Sequence, residues 1–199
     1  CVTAIIIRDN KILSLKRNEE PFKGKWDFLG GYMHEREIPE EAMEREVTEE
    51  IGVVPLGLTF IKTGWGYAYW KDKKFPILSH YYLVDIGNQE VNLNDENSEY
   101  KWVPLKGLNL KEVAFDSNQV MADWLNRNWT YDLGRIRELV QQLDPSAEVK
   151  EQSLYKATLN GYLSILHDEG QLVGMGWIFP RQTLLRKQGV IEDMICDEV

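Results

Sequence analysis

"GGYMHEREIPEEAMEREVTEEIGV", residues 30–53, places six glutamates among the fourteen residues from Pro39 to Gly52. The stretch reads as a helix, with Pro39 at a tolerated first-turn position and Gly52 as its stop. Glu40, Glu41 and Glu44 complement the positive end of the helix dipole. Glu46, Glu49 and Glu50 do the opposite: they crowd the negative end and repel one another at spacings of three and four, at about 0.2–0.5 kcal/mol per pair. With 3.6 residues per turn the three project within an arc of about 100°. Met43, Val47 and Ile51 recur at i, i+4 and i+8 and supply the adjacent buried edge. Taken alone, such a helix could simply present a solvated acidic face. Carboxylates held beside a core, however, call for a cation, and hard divalent ions take oxygen ligands of this kind.

The rest of the composition narrows what that cation could serve. The chain has 199 residues, 43% hydrophobic and 28% charged, the balance of an ordinary soluble protein with enough material for a core. A net charge of −9 argues against a broad nucleic-acid or anionic-membrane surface, so an anionic substrate must be held locally. The two cysteines, Cys1 and Cys196, lie at opposite ends without metal-ligand spacing and are expected to be free, which fits a cytoplasmic setting. No apolar run approaches the roughly 18 residues of a membrane span, and no signal peptide opens the chain. It begins inside the apolar run "VTAIII", as a trimmed chain would.

Pattern along the chain predicts the following elements. "CVTAIIIRDNKILSLKR" is a hairpin turning at Asp9-Asn10, and "NEEPFKGKWDFLGG" is a loop. After the acidic helix come three strands, "LGLTFIKT", "GWGYAYW" and "FPILSHYYLVDI", then the polar loop "GNQEVNLNDENSE" and a short closing strand "YKWVPL". Asp116 caps an amphipathic helix running through Val120, Met121, Trp124 and Leu125. Near Trp129 the pattern restarts, which places a domain boundary between residues 1–128 and 129–199. The second part reads as helix "GRIRELVQQL" stopped at Asp144-Pro145, helix "EVKEQSLYKATL", a hairpin turning at Asp168-Glu169-Gly170, and the strand "GVIEDMICDEV".

Outward from the acidic helix the spacing is Gly31, five residues, Glu37, seven residues, then Arg45-Glu46-Val47-Thr48-Glu49-Glu50-Ile51-Gly52-Val53. At every fixed position this resembles the signature of the Nudix hydrolase family, and the resemblance covers residues 1–128. It implies an α/β/α sandwich with a mixed sheet, and hydrolysis of a nucleoside diphosphate linked to another moiety with Mg²⁺ or Mn²⁺. Carried over by position, Glu46 and Glu50 are implied as principal metal ligands, and Glu49 as a ligand or the base that deprotonates the attacking water. Arg45 precedes Glu49 by one turn and would hold that carboxylate. Glu37 would brace the loop, and the Gly31 carbonyl would complete the metal shell. Such a scheme is coherent, because metals offset pyrophosphate charge, acidify water and align it. The alternative is a nucleotide-binding or regulatory domain that keeps the fold with little turnover.

Other residues carry further expectations. Arg17 ends the second strand, as a phosphate contact or a surface charge. Glu96 and Glu99 lie in the late loop where some family members supply another catalytic carboxylate. His34 is expected at the surface and His80 as a structural histidine. Trp65, Tyr67 and Tyr69 fall on one strand face, with Gly64, Gly66 and Ala68 on the other. Core packing is the expected role of the aromatic stripe, with base stacking or a homodimer interface as alternatives. "KGKWDFLGG" resembles the loop of nucleoside-diphosphate-sugar and ADP-ribose hydrolases, with Leu29 where proline is usual. Residues 129–199 resemble the first half of a GNAT N-acetyltransferase, by element order and the "IEDMICDEV" strand. In that family a basic, glycine-rich loop follows, and this sequence stops at Val199 where the loop should begin. The expectation is therefore a partial acetyltransferase-like domain in a fragment of a longer fusion, without tight binding of acetyl-CoA.

Overall fold

Asp9 and Asn10 both have positive φ, 52° and 55°, the conformation of a tight hairpin turn whose twist matches its strands. They join β2 (Ile7–Arg8) to β3 (Lys11–Arg17). The apolar run before that turn is not one strand. β1 (Val2–Ile5) pairs with one sheet and β2 with another, so the run crosses between sheets at Ile6, whose carbonyl still accepts the Leu13 N–H at 2.9 Å. The computed structural model describes residues 1–70, 73–160, 162–182 and 187–196, in two compact units, Cys1–Thr130 and Tyr131–Val199.

Within the first unit, β4 (Trp26–Asp27) and β5 (Gly30–Gly31) emerge from the segment predicted as loop. Helix α1 (Pro39–Ile51) follows, with the Glu41 carboxylate accepting the Ile38 N–H at 3.2 Å and Gly52 closing it at φ 66°. β6 (Gly57–Trp70), β7 (Lys73–Asp85), β8 (Asn97–Pro104) and α2 (Asp116–Asn128) complete the unit. One sheet has the order β5-β1-β7-β6 and is mixed, because β1 runs parallel to β7 while the other pairs are antiparallel. In the second sheet β3 pairs antiparallel with β2, β4 and β8. Ala42, Met43, Val47 and Ile51 of α1 pack with Val2, Ala4, Tyr82 and Val84 of the mixed sheet and Leu13 and Leu15 of the other. α1 is therefore wedged between the sheets, and α2 covers the opposite face of the mixed one. The mixed sheet flanked by α1 and α2 is as expected, and the second sheet on the far side of α1 is an additional layer.

Three expectations for this unit are corrected. "LGLTFIKT" and "GWGYAYW" are a single strand, β6, because Gly64 and Gly66 serve close packing rather than a turn. A Cβ at Gly64 would stand 2.7 Å from the Tyr81 ring, and one at Gly66 2.6 Å from Ser117 Cβ. That small-residue face is the packed one, against α2. The aromatic stripe is not core: Trp65 is 59% exposed, and Tyr67 stacks edge-on to it at 4.7 Å with Lys74 Nζ 3.7 Å from the Tyr67 ring centre. Finally, the residue capping α2 is Phe115 (φ 54°), with Asp116 in the first turn. The buried face runs through Ser117, Asn118, Met121, Ala122 and Leu125, leaving Val120 66% exposed.

The second unit contains α3 (Leu133–Leu143), α4 (Glu151–Asn160), β9 (Tyr162–Asp168), β10 (Gln171–Gln182) and β11 (Lys187–Cys196), in the element order expected. Asp132 caps α3 by accepting the Arg135 N–H. The strands form an antiparallel sheet ordered β11-β10-β9. Leu133, Ile136, Leu139, Leu154 and Leu172 form its small core. Asp197–Val199, the end of the predicted last strand, and the Cys196 side chain lie outside the described residues. Cys1 is free, and among the described residues no helix is long and apolar enough to cross a membrane.

Candidate active site

Arg45 lies at the centre of the acidic helix. Its Nε and Nη2 grip Glu37 bidentately at 2.8 and 3.0 Å, and Nη2 also reaches the Tyr32 carbonyl at 2.9 Å. Nη1 meets Glu46 Oε1 at 2.8 Å and Glu49 Oε2 at 3.0 Å. All five N–H donors of the guanidinium are thus engaged by a loop carbonyl and three carboxylates, which a lysine could not reproduce. The i, i+4 tie from Arg45 to Glu49 is formed. So is the loop brace, since Glu37 Oε2 also accepts the His34 N–H at 2.7 Å. Hydrogen bonds from Arg45 and His34 lower the Glu37 carboxyl to about 2.

Glu46 and Glu50 sit differently. Both are buried, on the side of α1 that faces β5. A side chain at Gly31 would collide with the Glu46 carboxylate, so the glycine leaves room for that group against bare backbone. Glu50 Oε1 accepts the Gly30 N–H at 3.0 Å and Oε2 accepts Asn97 Nδ2 at 2.7 Å. Burial raises the Glu46 carboxyl above its ordinary value and pushes Glu50 up to about 8. Glu49 is the exposed member, its side chain 57% accessible. Among the described residues no three acidic, imidazole or thiol side chains converge into a ready-made metal cage, because Glu46 and Glu49 both turn to Arg45. The donor set still fits a hard divalent ion. It is all oxygen and lies on one helix beside a bare glycine backbone; of its two buried carboxylates, Glu46 shares the Arg45 guanidinium with Glu37 and Glu49, and Glu50 is held by the neutral amides of Gly30 and Asn97.

The other expected residues separate. Arg17 is held by the residues that follow β3 and by Phe115: Nε donates to the Pro21 carbonyl at 2.8 Å, Nη1 reaches Asp27 Oδ2 at 3.4 Å, and the guanidinium lies 5.0 Å from the Phe115 ring centre. Glu99 pairs with Lys16 at 3.1 Å. Glu96 is exposed, and its charge bears on both Glu46 and Glu50. His34 is exposed, and His80 Nδ1 is 3.1 Å from Thr63 Oγ1. Pattern reading missed Asn97 and the buried chain Tyr81–Asn118–Asp27. The Tyr81 hydroxyl donates to Asn118 Oδ1 at 2.9 Å and Asn118 Nδ2 to Asp27 Oδ1 at 2.6 Å. Burial pushes the Asp27 carboxyl up to about 7. The one signal for it was an acid inside the apolar "WDFL".

These shifts give stability a pH dependence of definite sign. Asp27 and Glu50 hold protons in the folded chain up to about 7 and about 8, whereas their ordinary values are 3.8 and 4.5. Their contribution is fully present below about pH 4 and is lost as pH rises through 7–8. Glu37, at about 2, works the other way: its contribution is fully present above pH 4.5 and is lost as pH falls toward 2. In chelator, the melting temperature is expected to fall between pH 5 and pH 8. A flat or rising profile over that interval would contradict the buried placement of these two acids.

The NUDIX domain model matches residues 1–124. The chain belongs to the Nudix family. It is 32% identical over 124 residues to an ADP-ribose pyrophosphatase of Methanocaldococcus jannaschii, covering 62% of this chain and 71% of that one. It is 34% identical over 128 residues to the nucleoside triphosphatase NudI of an Escherichia coli O139:H28 strain, covering 59% and 86%. Among solved structures it resembles the Nudix domain of Shewanella oneidensis NrtR in complex with ADP ribose, at TM-score 0.51 and 25% identity, covering 63% of this chain and 85% of that one. This Nudix protein is accordingly a hydrolase, and as a class Nudix hydrolases use divalent metals. The family match ends at residue 124 and leaves the second unit outside it.

Proposed function

We propose that residues 1–128 form a Mg²⁺- or Mn²⁺-dependent pyrophosphohydrolase that cleaves a nucleoside diphosphate linked to another moiety. ADP-ribose and nucleoside triphosphates head the candidate substrates, since the relatives are named for them. The observation that carries this reading is the division of labour on α1: two buried carboxylates, Glu46 and Glu50, against the Gly30–Gly31 backbone, and one exposed carboxylate oriented by Arg45. Glu46 and Glu50 hold the ion, with the Gly31 carbonyl beside them. When bound, the ion offsets pyrophosphate charge and makes its water acidic. Glu49, reachable from solvent, takes the proton of the attacking water, and Arg45 keeps its carboxylate pointed. Arg17, already oriented by Pro21 and Asp27, meets a substrate phosphate.

A phosphate-release screen with Mg²⁺ tests this, using ADP-ribose, nucleotide sugars, dinucleotides and nucleoside triphosphates. Turnover of at least one is expected. The likeness to the NrtR domain, solved in complex with ADP ribose, favours a second reading, a nucleotide-binding domain that keeps the fold with little turnover. Tight ADP-ribose binding without turnover of any substrate would select it. For residues 129–199 the acetyltransferase-like reading rests on the sequence resemblance and on an element order of two helices, a hairpin and a third strand alone. Calorimetry of this chain with acetyl-CoA is expected to show no binding at micromolar concentration, and micromolar affinity would refute that expectation.

A further inference from the structure

The last turn of α1 carries no basic side chain to answer its dipole, although it ends on carboxylates. Its negative end is met by amides of the segment 92–97 instead. The Asn92 N–H donates to the Ile51 carbonyl at 2.9 Å and the Asn94 N–H to the Glu50 carbonyl at 3.0 Å. From the other side, the Asn18 N–H donates to the Glu96 carbonyl at 2.8 Å, and its side-chain amide to the Asp95 carbonyl at 3.0 Å. This segment is anchored to both the acidic helix and the end of β3.

At its end the ladder between β3 and β8 slips. Lys16 opposes Glu99, but Arg17 opposes Asn97, so Ser98 is an extra residue. A bulge of this kind re-aims the neighbouring side chain. Asn97 is buried between exposed Glu96 and Ser98, and its Nδ2 reaches Glu50 Oε2 at 2.7 Å while the Gly30 N–H holds Oε1 at 3.0 Å. Each carboxylate oxygen then has one protein donor and a lone pair to spare. A neutral amide suits the task. Lysine or arginine there would neutralise Glu50 and compete with an ion, and aspartate would add charge beside Glu46, Glu50 and Glu96.

We propose that Asn97 is a positioning residue for the divalent-ion site: its side-chain amide fixes the orientation of Glu50, so that the remaining lone pairs face the ion. This rests on the assignment of Glu50 as a ligand made above. Partners that orient a metal ligand typically contribute about 10–100-fold to affinity. The test is calorimetry of Mn²⁺ with the full chain, wild type and Asn97→Leu, without substrate, alongside melts in chelator. Asn97→Leu keeps approximate volume and removes the donor. It is expected to weaken Mn²⁺ binding about 10–100-fold in protein that is folded by circular dichroism. A merely structural Asn97 would lower the melting temperature in chelator but leave the Mn²⁺ affinity of the folded variant within about twofold of wild type, and that result would overturn the proposal. If Asn97→Leu does not fold, Asn97→Ser, too short to reach Glu50, carries the same expectation. A wild-type chain that takes up no Mn²⁺ would overturn the metal assignment itself, and this inference with it.

Discussion

Glu49→Gln is expected to lower kcat by about 10²- to 10⁴-fold, the range contributed by a positioned general base, with little change in melting temperature. Glu49 is the exposed carboxylate of the three, tied to Arg45 Nη1 at 3.0 Å and to no core residue. Glutamine retains an oxygen for Arg45 and loses the negative charge and with it the capacity to accept a proton. An exposed ion pair is worth at most about 1 kcal/mol, so the fold should hardly register the exchange. Steady-state turnover of whichever substrate the release screen identifies, with melts in parallel, measures both halves. Wild-type turnover in the variant would remove the proton-accepting role from Glu49. Glu96, the exposed acid whose charge reaches Glu46 and Glu50, would be next in line.

Gly30→Ala is expected to be the most damaging single methyl group in the first unit, at about 3 kcal/mol or more and roughly 10 °C in melting temperature. Gly30 has φ 151°, a region other residues rarely enter, and a Cβ there would run into the carbonyl oxygen of Val2. That oxygen belongs to β1, and Gly30 pairs with Thr3 in the same ladder, so relief would require β5 to leave β1. Its N–H is also one of the two donors to Glu50. Any variant that survives should therefore bind Mn²⁺ more weakly as well. Gly24→Ala, at a positive φ with nothing near the added carbon, is the control for backbone strain alone. Equal losses in the two variants would show that the collision with Val2 does not matter.

The parts legible in the sequence were those with a local period. α1 combines a first-turn proline, an apolar stripe and a terminal glycine within its own length, and the Arg45–Glu49 tie is a one-turn spacing. The sequence suggests two strands where β6 is one, because glycine within a strand signals either a break or a close approach, and only Tyr81 and Ser117, distant in sequence, decide between them. The Trp65 stripe alternates as a buried face would, yet which face of a strand is covered depends on where α2 lands. The same limit applies to the site. Asn97 meets Glu50 across 47 residues and Asn118 meets Asp27 across 91, and no short-range pattern encodes such partners. The slip in the β3–β8 ladder that turns Asn97 inward is a property of two strands together.

The crossing of one continuous run between sheets at Ile6 bears on how the protein comes apart. Ile5, Ile6 and Ile7 are all buried, and the residues on either side hydrogen-bond into different sheets. Neither sheet can open by peeling away this strand without pulling on its counterpart, so partial opening gains little chain freedom while forfeiting contacts in both. Amide protons of Thr3–Ile5 and of Leu13 should then exchange with deuterium at a common, slowest rate set by global unfolding, whereas the ends of β6 exchange by local fraying. Ile6 makes the two layers one cooperative unit, and a chain nicked there would lose both at once.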